Sequence, residues 1–354
     1  HNHGSTAICG VALGSSTAFG KLYSDSAFGG NVTTCRINRN TLVRNGSSLR
    51  AREEPDFLVS GDPWFRPVYL QAGPDGALYV ADFYNKIIGH YEVPLTHPGR
   101  DRHRGRIWKI SYRGSDLRRD VRAAASGYGA GGNLGQLPIK KLLGELSSRQ
   151  LARRTLALDE LERRPVMEAI RELRARLPGE GGLWLAYAYR ALGRLGALEE
   201  ADLAAATVHP EAIVRVHAQR LLAETLIAGD KPAGWILAGF KDKDPMVRRV
   251  AVQAAASRPA QRLLHPLLAL YQSTSKVDAH LRHSIRIALR NHLRNDKWFR
   301  ELTARELSVQ ESNLLISICL ALKNRGAGEY ILSRLDRLAS LPTERIGEYL
   351  RFAS

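Results

Sequence analysis

Two hydrophobic periods divide the chain. Up to about residue 113, apolar residues come in short alternating runs among Gly, Asn and Thr; beyond about 134, Leu, Ala, Arg and Glu recur at helical spacing. The sharpest alternation lies in residues 63–82, where Val68 and Leu70, then Leu78 and Val80, stand at every second position. Pro74-Asp75-Gly76 between them combines a fixed φ, a side-chain acceptor and a residue tolerant of positive φ, so two strands joined by one tight turn are predicted. Residues 5–11, residues 31–37 and a run ending at Phe57-Leu58-Val59 predict three further strands, and Asn45-Gly46 between Val43 and Leu49 predicts a turn.

The helical part repeats itself. Val214-Arg215-Val216-His217-Ala218, Val247-Arg248-Arg249-Val250-Ala251 and Leu281-Arg282-His283-Ser284-Ile285 align, with Arg215, Arg248 and Arg282 spaced 33 and 34 residues apart. A weaker copy at Arg153-Arg154-Thr155 lies 61 residues upstream of Arg215, which leaves room for a degenerate repeat around Trp184-Leu185-Ala186. A further unit runs through Leu314-Leu315-Ile316. Asp242-Lys243-Asp244-Pro245 places an acidic cap and a proline at a helix start, and His209-Pro210-Glu211 reads as the same device.

The wording Asp244-Pro245-Met246-Val247-Arg248, closed by Ala251, resembles HEAT or HEAT-like repeats, in which each helical pair buries its apolar face against its neighbours. Five or six repeats are expected. Arg154, Arg215, Arg248 and Arg282 then form a structural ladder, bonded between repeats to carboxylates such as Asp244. Between the two classes lies Ser126-Gly127-Tyr128-Gly129-Ala130-Gly131-Gly132-Asn133, with almost nothing to bury. The expected organisation is an all-β segment over 1–113, a Gly-rich linker over 114–133 and an all-α solenoid over 134–354.

The formal charge of +17 is shared by both parts. Residues 1–113 hold 14 basic and 9 acidic residues and the rest holds 38 and 26. Nucleic-acid binding is disfavoured all the same: the cations alternate with Glu along helices, as at Arg163-Arg164, Glu168 and Arg171-Glu172, without an aromatic stripe or a reading motif. No apolar run reaches the roughly 20 residues of a membrane span. Three cysteines are too few for a disulfide scaffold. Cys9 and Cys35 fall on two neighbouring predicted strands and could pair there, while Cys319 sits in an apolar helical run as a small hydrophobe. No Cys-x-x-Cys-His haem-attachment motif is present.

Residues 63–90 together with Arg104-Gly105-Arg106-Ile107-Trp108-Lys109-Ile110 resemble the last blades of the sorbosone/glucose-dehydrogenase-like β-propeller of exported bacterial membrane-bound dehydrogenases. That resemblance covers about residues 1–113 and extends to the remainder by architecture. It implies C-terminal propeller blades, about two of them, followed by HEAT repeats, in a periplasmic or cell-surface protein. A propeller closes with roughly four to eight blades, so the chain, which begins at His1-Asn2-His3 without Met, is expected to be an internal fragment. The resemblance further implies pyrroloquinoline quinone and Ca²⁺ in a full-length propeller, haem in a downstream domain, a carbohydrate-derived alcohol as substrate and a protein partner on the concave face of the solenoid. No cofactor or metal site is identifiable in residues 1–354 themselves.

Candidate chemistry clusters in 66–104. Arg66, before one strand, and Asp82, after the next, are placed for an axial site, where Arg66 could bind a carboxylate or a cofactor oxygen; the alternative is an Arg–Asp pair fastening adjacent blades. His90, His97 and Asp101 lie in the long connection from 81 to 104, with His90 as a general base for hydroxyl oxidation under the resemblance. His1 and His3 lack a third ligand nearby, and His280, His283 and His292 read as a solvated helix face rather than a metal site. A second class of function stays open: a scaffold whose propeller has no redox chemistry and whose solenoid docks partners. Without the other blades, the chain alone is expected to show no dehydrogenase turnover.

Overall fold

The computed structural model describes residues 7–14, 19–88, 93–112, 133–225, 229–322, 324–334 and 347. His1, His3, His90 and the expected linker lie outside them, apart from Asn133. Among the described residues the last strand ends at Ile110 and the first α-helix begins at Ile139. Compactness divides the chain elsewhere, into a first unit of residues 1–44 and 49–197 and a second of residues 45–48 and 198–354.

Strands β1 (Ile8–Leu13), β2 (Ser26–Asn31), β3 (Arg36–Asn45) and β4 (Ser48–Val59) form a sheet in chain order, and β5 (Pro67–Ala72), β6 (Leu78–Asp82) and β7 (Arg106–Ile110) form a second, all in the first unit save Asn45 and Ser48 at the β3–β4 turn. The resolved pairings are antiparallel and neither sheet closes on itself. The core between them holds Phe28, Ile37, Leu70, Leu78 and Val80, with Phe19, Tyr23, Phe28 and Phe57 in edge and tilted ring contacts. Two glycines permit the close approach: a Cβ at Gly10, where φ is +57°, would stand 2.8 Å from the Tyr69 backbone, and one at Gly30 would stand 2.1 Å from the Pro67 carbonyl.

The expected hairpin forms, with Leu70 opposite Val80 and Ala72 opposite Leu78. Its alternation breaks at Val68, which is exposed, because a bulge between Pro67 and Tyr69 shifts the phase of the strand. The Asn45-Gly46 turn is also in place, with Gly46 at φ +58°. Residues 31–37 are not one strand. They straddle the β2–β3 turn, which the Asn31 carboxamide nucleates by accepting from Thr34 N at 3.2 Å. The β-branched Val32-Thr33-Thr34 run suggests a strand but lies in the turn, and β2 and β7 were not anticipated.

The unit continues through α1 (Ile139–Glu145), α2 (Leu151–Glu162), α3 (Val166–Arg176) and α4 (Gly182–Arg194). Trp184 is buried in α4, donating its indole N–H to the Leu143 carbonyl at 2.6 Å.

The second unit carries α5 (Glu200–Thr207), α6 (Ala212–Glu224), α7 (Lys231–Phe240), α8 (Pro245–Ser257), α9 (Gln261–Ser273), α10 (Ala279–Leu293), α11 (Asp296–Thr303), α12 (Val309–Leu322) and α13 (Arg325–Leu332). Two rows result, α5–α7–α9 and α6–α8–α10–α12, with sequential helices packed across them. Apolar faces such as Val247, Val250, Ala251 and Ala254 of α8 are buried between neighbours. The Asp-Pro start works as expected: Asp244 accepts from Met246 N at 2.7 Å and Pro245 opens α8. At His209-Pro210-Glu211 the device is absent, because α6 starts at Ala212 and its cap Glu211 makes no side-chain bond.

Candidate functional site

Arg66 is the most heavily bonded of the expected site residues. Its Nε donates to the Asn85 carbonyl at 2.8 Å, Nη1 to the Val32 carbonyl at 2.8 Å and to Cys35 Sγ at 2.9 Å, and Nη2 to the Lys86 carbonyl at 2.8 Å. The side chain is buried and ties the β2–β3 turn to the segment after β6. The expected Arg66–Asp82 side-chain pair is not the fastening: Asp82 Oδ1 accepts from the backbone N–H groups of Arg66 and Tyr84, each at 2.8 Å, and Oδ2 accepts from Trp108 Nε1 at 2.9 Å. Cys9 and Cys35 are free thiols rather than a disulfide. Cys35 lies in the turn, at φ +54°, and faces Arg66 instead of a neighbouring strand.

The long connection after β6 is stapled near its base. Asn85, which is buried, donates to the Phe83 and Asp101 carbonyls at 3.0 and 3.1 Å and accepts from Asp101 N at 2.8 Å. Asp101 accepts from His103 N and Arg104 N and pairs with Arg104 Nε at 2.9 Å. The backbone bond from His103, with the Arg104 charge, holds its carboxyl below the usual carboxylate range against its desolvation. His97 is exposed, and its Nδ1 accepts from Gly99 N at 3.0 Å. Outside this network Tyr84, at φ +48°, stacks between Trp64, ring centroids 5.6 Å apart, and the Arg106 guanidinium, 3.1 Å from its ring centre.

Asp75 was placed as a turn acceptor, and it is more than that. Its buried carboxylate accepts from Ala77 N at 3.1 Å and Tyr79 Oη at 2.9 Å and pairs with Lys109 Nζ at 2.8 Å. Burial pushes its carboxyl up, but the Lys109, Ala77 and Tyr79 bonds outweigh that and hold it below the usual range. Asp75 thus joins β6 and β7 to the turn. Lys109 lies 34 residues away, so nothing local in the sequence marks the pair.

The repeat arginines all bond upstream carbonyls, five or six residues back for Arg154, Arg215 and Arg248 and eight and eleven for Arg282. Arg215 Nη1 donates to the His209 and Pro210 carbonyls at 2.7 and 2.8 Å, and Arg248 Nη1 to those of Asp242 and Lys243 at 2.6 and 3.2 Å. Arg154 Nη1 reaches the Ser148 carbonyl, and Arg282 Nη1 those of Tyr271 and Thr274. Each therefore ties the segment before its own helix, and the acceptors are carbonyls rather than the expected Asp244, whose carboxylate caps α8. Of these four arginines, Arg215 also meets a carboxylate of the next repeat: it pairs bidentately with Asp242, Nε–Oδ2 2.6 Å and Nη2–Oδ1 2.9 Å.

His280 and His283 are exposed, as read from the sequence, but His292 is wholly buried. Its Nδ1 bonds to the Ala288 carbonyl at 2.8 Å and its Nε2 accepts from Ala260 N at 3.2 Å, so the ring is neutral and burial lowers its proton affinity. Cys319 is likewise buried, its thiol pushed up to about 12 by desolvation. Among the described residues no group of three or more His, Cys, Asp or Glu converges on a metal position, and no helix is long and apolar enough to cross a membrane.

A cleft of about 750 Å³ opens in the first unit. Val11 and Leu13 of β1, Leu70 and Ala72 of β5, and Leu151 and Leu156 of α2 line it, so its walls suit apolar groups better than a sugar's hydroxyls.

Residues 1–114 match the family described as a domain of unknown function, DUF7133. No curated protein matches the chain.

Proposed function

We propose that this chain acts as a non-catalytic binding scaffold, propeller-like in its β part and HEAT-like in its helices, in an exported protein, with the helical rows docking a protein partner. One observation carries this reading: among the described residues, Arg66, Asp82 and Asp101, three of the side chains expected to act chemically, are already engaged. All three donor nitrogens of Arg66 face protein acceptors, and Asp82 and Asp101 each hold three hydrogen bonds from neighbouring N–H groups. These residues do not fit a quinone or a Ca²⁺ ion, which would need the valences already in use. The propeller-like reading is supported by two sheets laid down in chain order and packed through β1, β2 and β5. The HEAT-like reading is supported by the two helical rows and by the repeated reach of Arg154, Arg215 and Arg248 to carbonyls five and six residues upstream.

A dye-linked oxidation assay with sugars and sugar alcohols, with added quinone and Ca²⁺, tests the catalytic half of the proposal. Purified 1–354 is expected to give no turnover above a protein-free control. Turnover that disappears in Arg66→Lys or Asp82→Asn would overturn it and restore the oxidation of carbohydrate-derived alcohols that the family resemblance implies.

A further inference from the structure

The turn at residues 45–48 belongs to the second unit and is built into α8 and α10. Ser47 is wholly buried: its N–H and hydroxyl donate to Asp278 Oδ2 and Oδ1 at 2.8 and 2.7 Å. Asp278 Oδ1 also caps α10 through Leu281 N at 3.1 Å. The carboxylate is thus held by neutral donors and forms no ion pair among the described residues. Gly46 must be glycine for this seat, since a Cβ there would lie 2.7 Å from Asp278 Oδ2.

Four basic side chains of the described residues bear on this seat. Arg249 of α8 is half-buried and donates Nε to the Ser47 carbonyl at 2.9 Å, whereas its two terminal nitrogens meet no acceptor among the described residues. Arg220 stands on α6, the helix packed beside α8. His280 of α10 bonds Ser48 Oγ at 3.0 Å, and His283 is on the next turn of the same helix. The four sense one another: burial and then Arg220 weaken the hold of Arg249 on its proton, with Asp278 opposing, and burial, Arg249 and His283 do the same to His280. A half-buried guanidinium with Arg220 beside it and two donors that no protein acceptor takes leaves a place that an anion can fill.

We propose that Arg220, Arg249, His280 and His283 form a binding site for a small oxyanion of the phosphate or sulfate class, centred on the terminal nitrogens of Arg249. A planar guanidinium offers two parallel donors to such an anion, Arg220 supplies a second charge beside it, and the imidazole rings supply N–H donors. The proposal does not depend on the scaffold reading, because it uses none of the residues that carry that reading.

Titration calorimetry of purified 1–354 with inorganic phosphate and with sulfate, against sodium chloride at matched ionic strength, tests it. Saturable binding of phosphate or sulfate that chloride does not reproduce is expected. Arg249→Gln and Arg220→Gln should each weaken it by roughly tenfold, the loss of one charge-assisted hydrogen bond. Arg220 is exposed, so Arg220→Gln should keep the wild-type circular dichroism, and it decides the matter if Arg249→Gln fails to fold. Heats that do not saturate, chloride acting equally well, or wild-type affinity in folded Arg220→Gln would each overturn the site.

Discussion

Arg215→Ala should be the most damaging single change in the arginine ladder. The side chains of Arg215 and Asp242 are only 8% and 11% exposed, and they meet through two charge-assisted bonds of 2.6 and 2.9 Å. Truncation also removes the two bonds to the His209 and Pro210 carbonyls. Breaking a buried pair from one side typically costs about 3–5 kcal/mol, since the remaining charge stays desolvated. Asp242 keeps one donor, Asp244 N at 2.8 Å, which favours the lower end, about 3 kcal/mol. Arg248→Ala, at the equivalent position, deletes two bonds to carbonyls from a half-buried side chain and should cost about 1 kcal/mol. Urea unfolding of 1–354 followed by far-UV circular dichroism measures both, and a cycle with Asp242→Asn isolates the pair. The pH dependence has a definite sign. Burial pushes the Asp242 carboxyl up, but the Arg215 and Asp244 bonds outweigh it and hold the carboxyl below its ordinary value. The pair therefore stabilises fully above about pH 4, the unfolded carboxylate range, and its contribution is lost as pH falls through the lowered value. Arg215→Ala should flatten that acid limb. Equal costs for Arg215→Ala and Arg248→Ala, or a coupling energy near zero with Asp242, would refute the reasoning.

Three further outcomes follow from the same geometry. Asp75→Asn keeps its one carboxamide oxygen for Ala77 N but puts an NH2 donor where Oδ2 accepted from Tyr79 and paired with Lys109, so the first unit should lose about 1 kcal/mol in thermal or urea unfolding, a cost that shrinks in acid where wild-type Asp75 is itself neutral. His292, neutral in its buried site, should make the folded state less stable as pH falls below about 6.5, because the unfolded imidazole takes up the proton first; His292→Gln should reduce that slope, and a nitrogen-edited spectrum should show the proton on Nδ1. Asn85→Ala removes all three bonds that staple the base of the loop after β6, so limited proteolysis should cut within residues 83–104 several-fold faster than in the wild type, with the sheets retained by circular dichroism.

What could be read from the sequence was what local chemistry determines. Gly76 at φ +81°, Gly46 at φ +58° and Pro245 at the start of α8 occupy positions where backbone preference alone selects the residue, and the turns and helix start they predict are present. Local preference misled where a side chain outbid it. Val32-Thr33-Thr34 has the composition of a strand, yet Asn31 closes a turn over it, and the Val68 alternation is overridden by a one-residue bulge.

The site residues were harder to read for a different reason. A guanidinium satisfies a substrate carboxylate and a row of main-chain carbonyls with the same five donors, so Arg66 looks identical in either role until the partners are known. Its partners, Val32, Cys35, Asn85 and Lys86, are separated from it by 19 to 34 residues, a distance across which spacing carries no information. For the repeat arginines, recurrence supplies an argument that a single residue cannot: one ligand site has no reason to reappear at 33- and 34-residue intervals, whereas a loop that must be tied before every other helix does. Recurrence left the acceptor undetermined. Asp242 and Asp244 are two residues apart in the same motif, and only the three-dimensional arrangement assigns one to the neighbouring repeat's Arg215 and the other to the cap of its own helix.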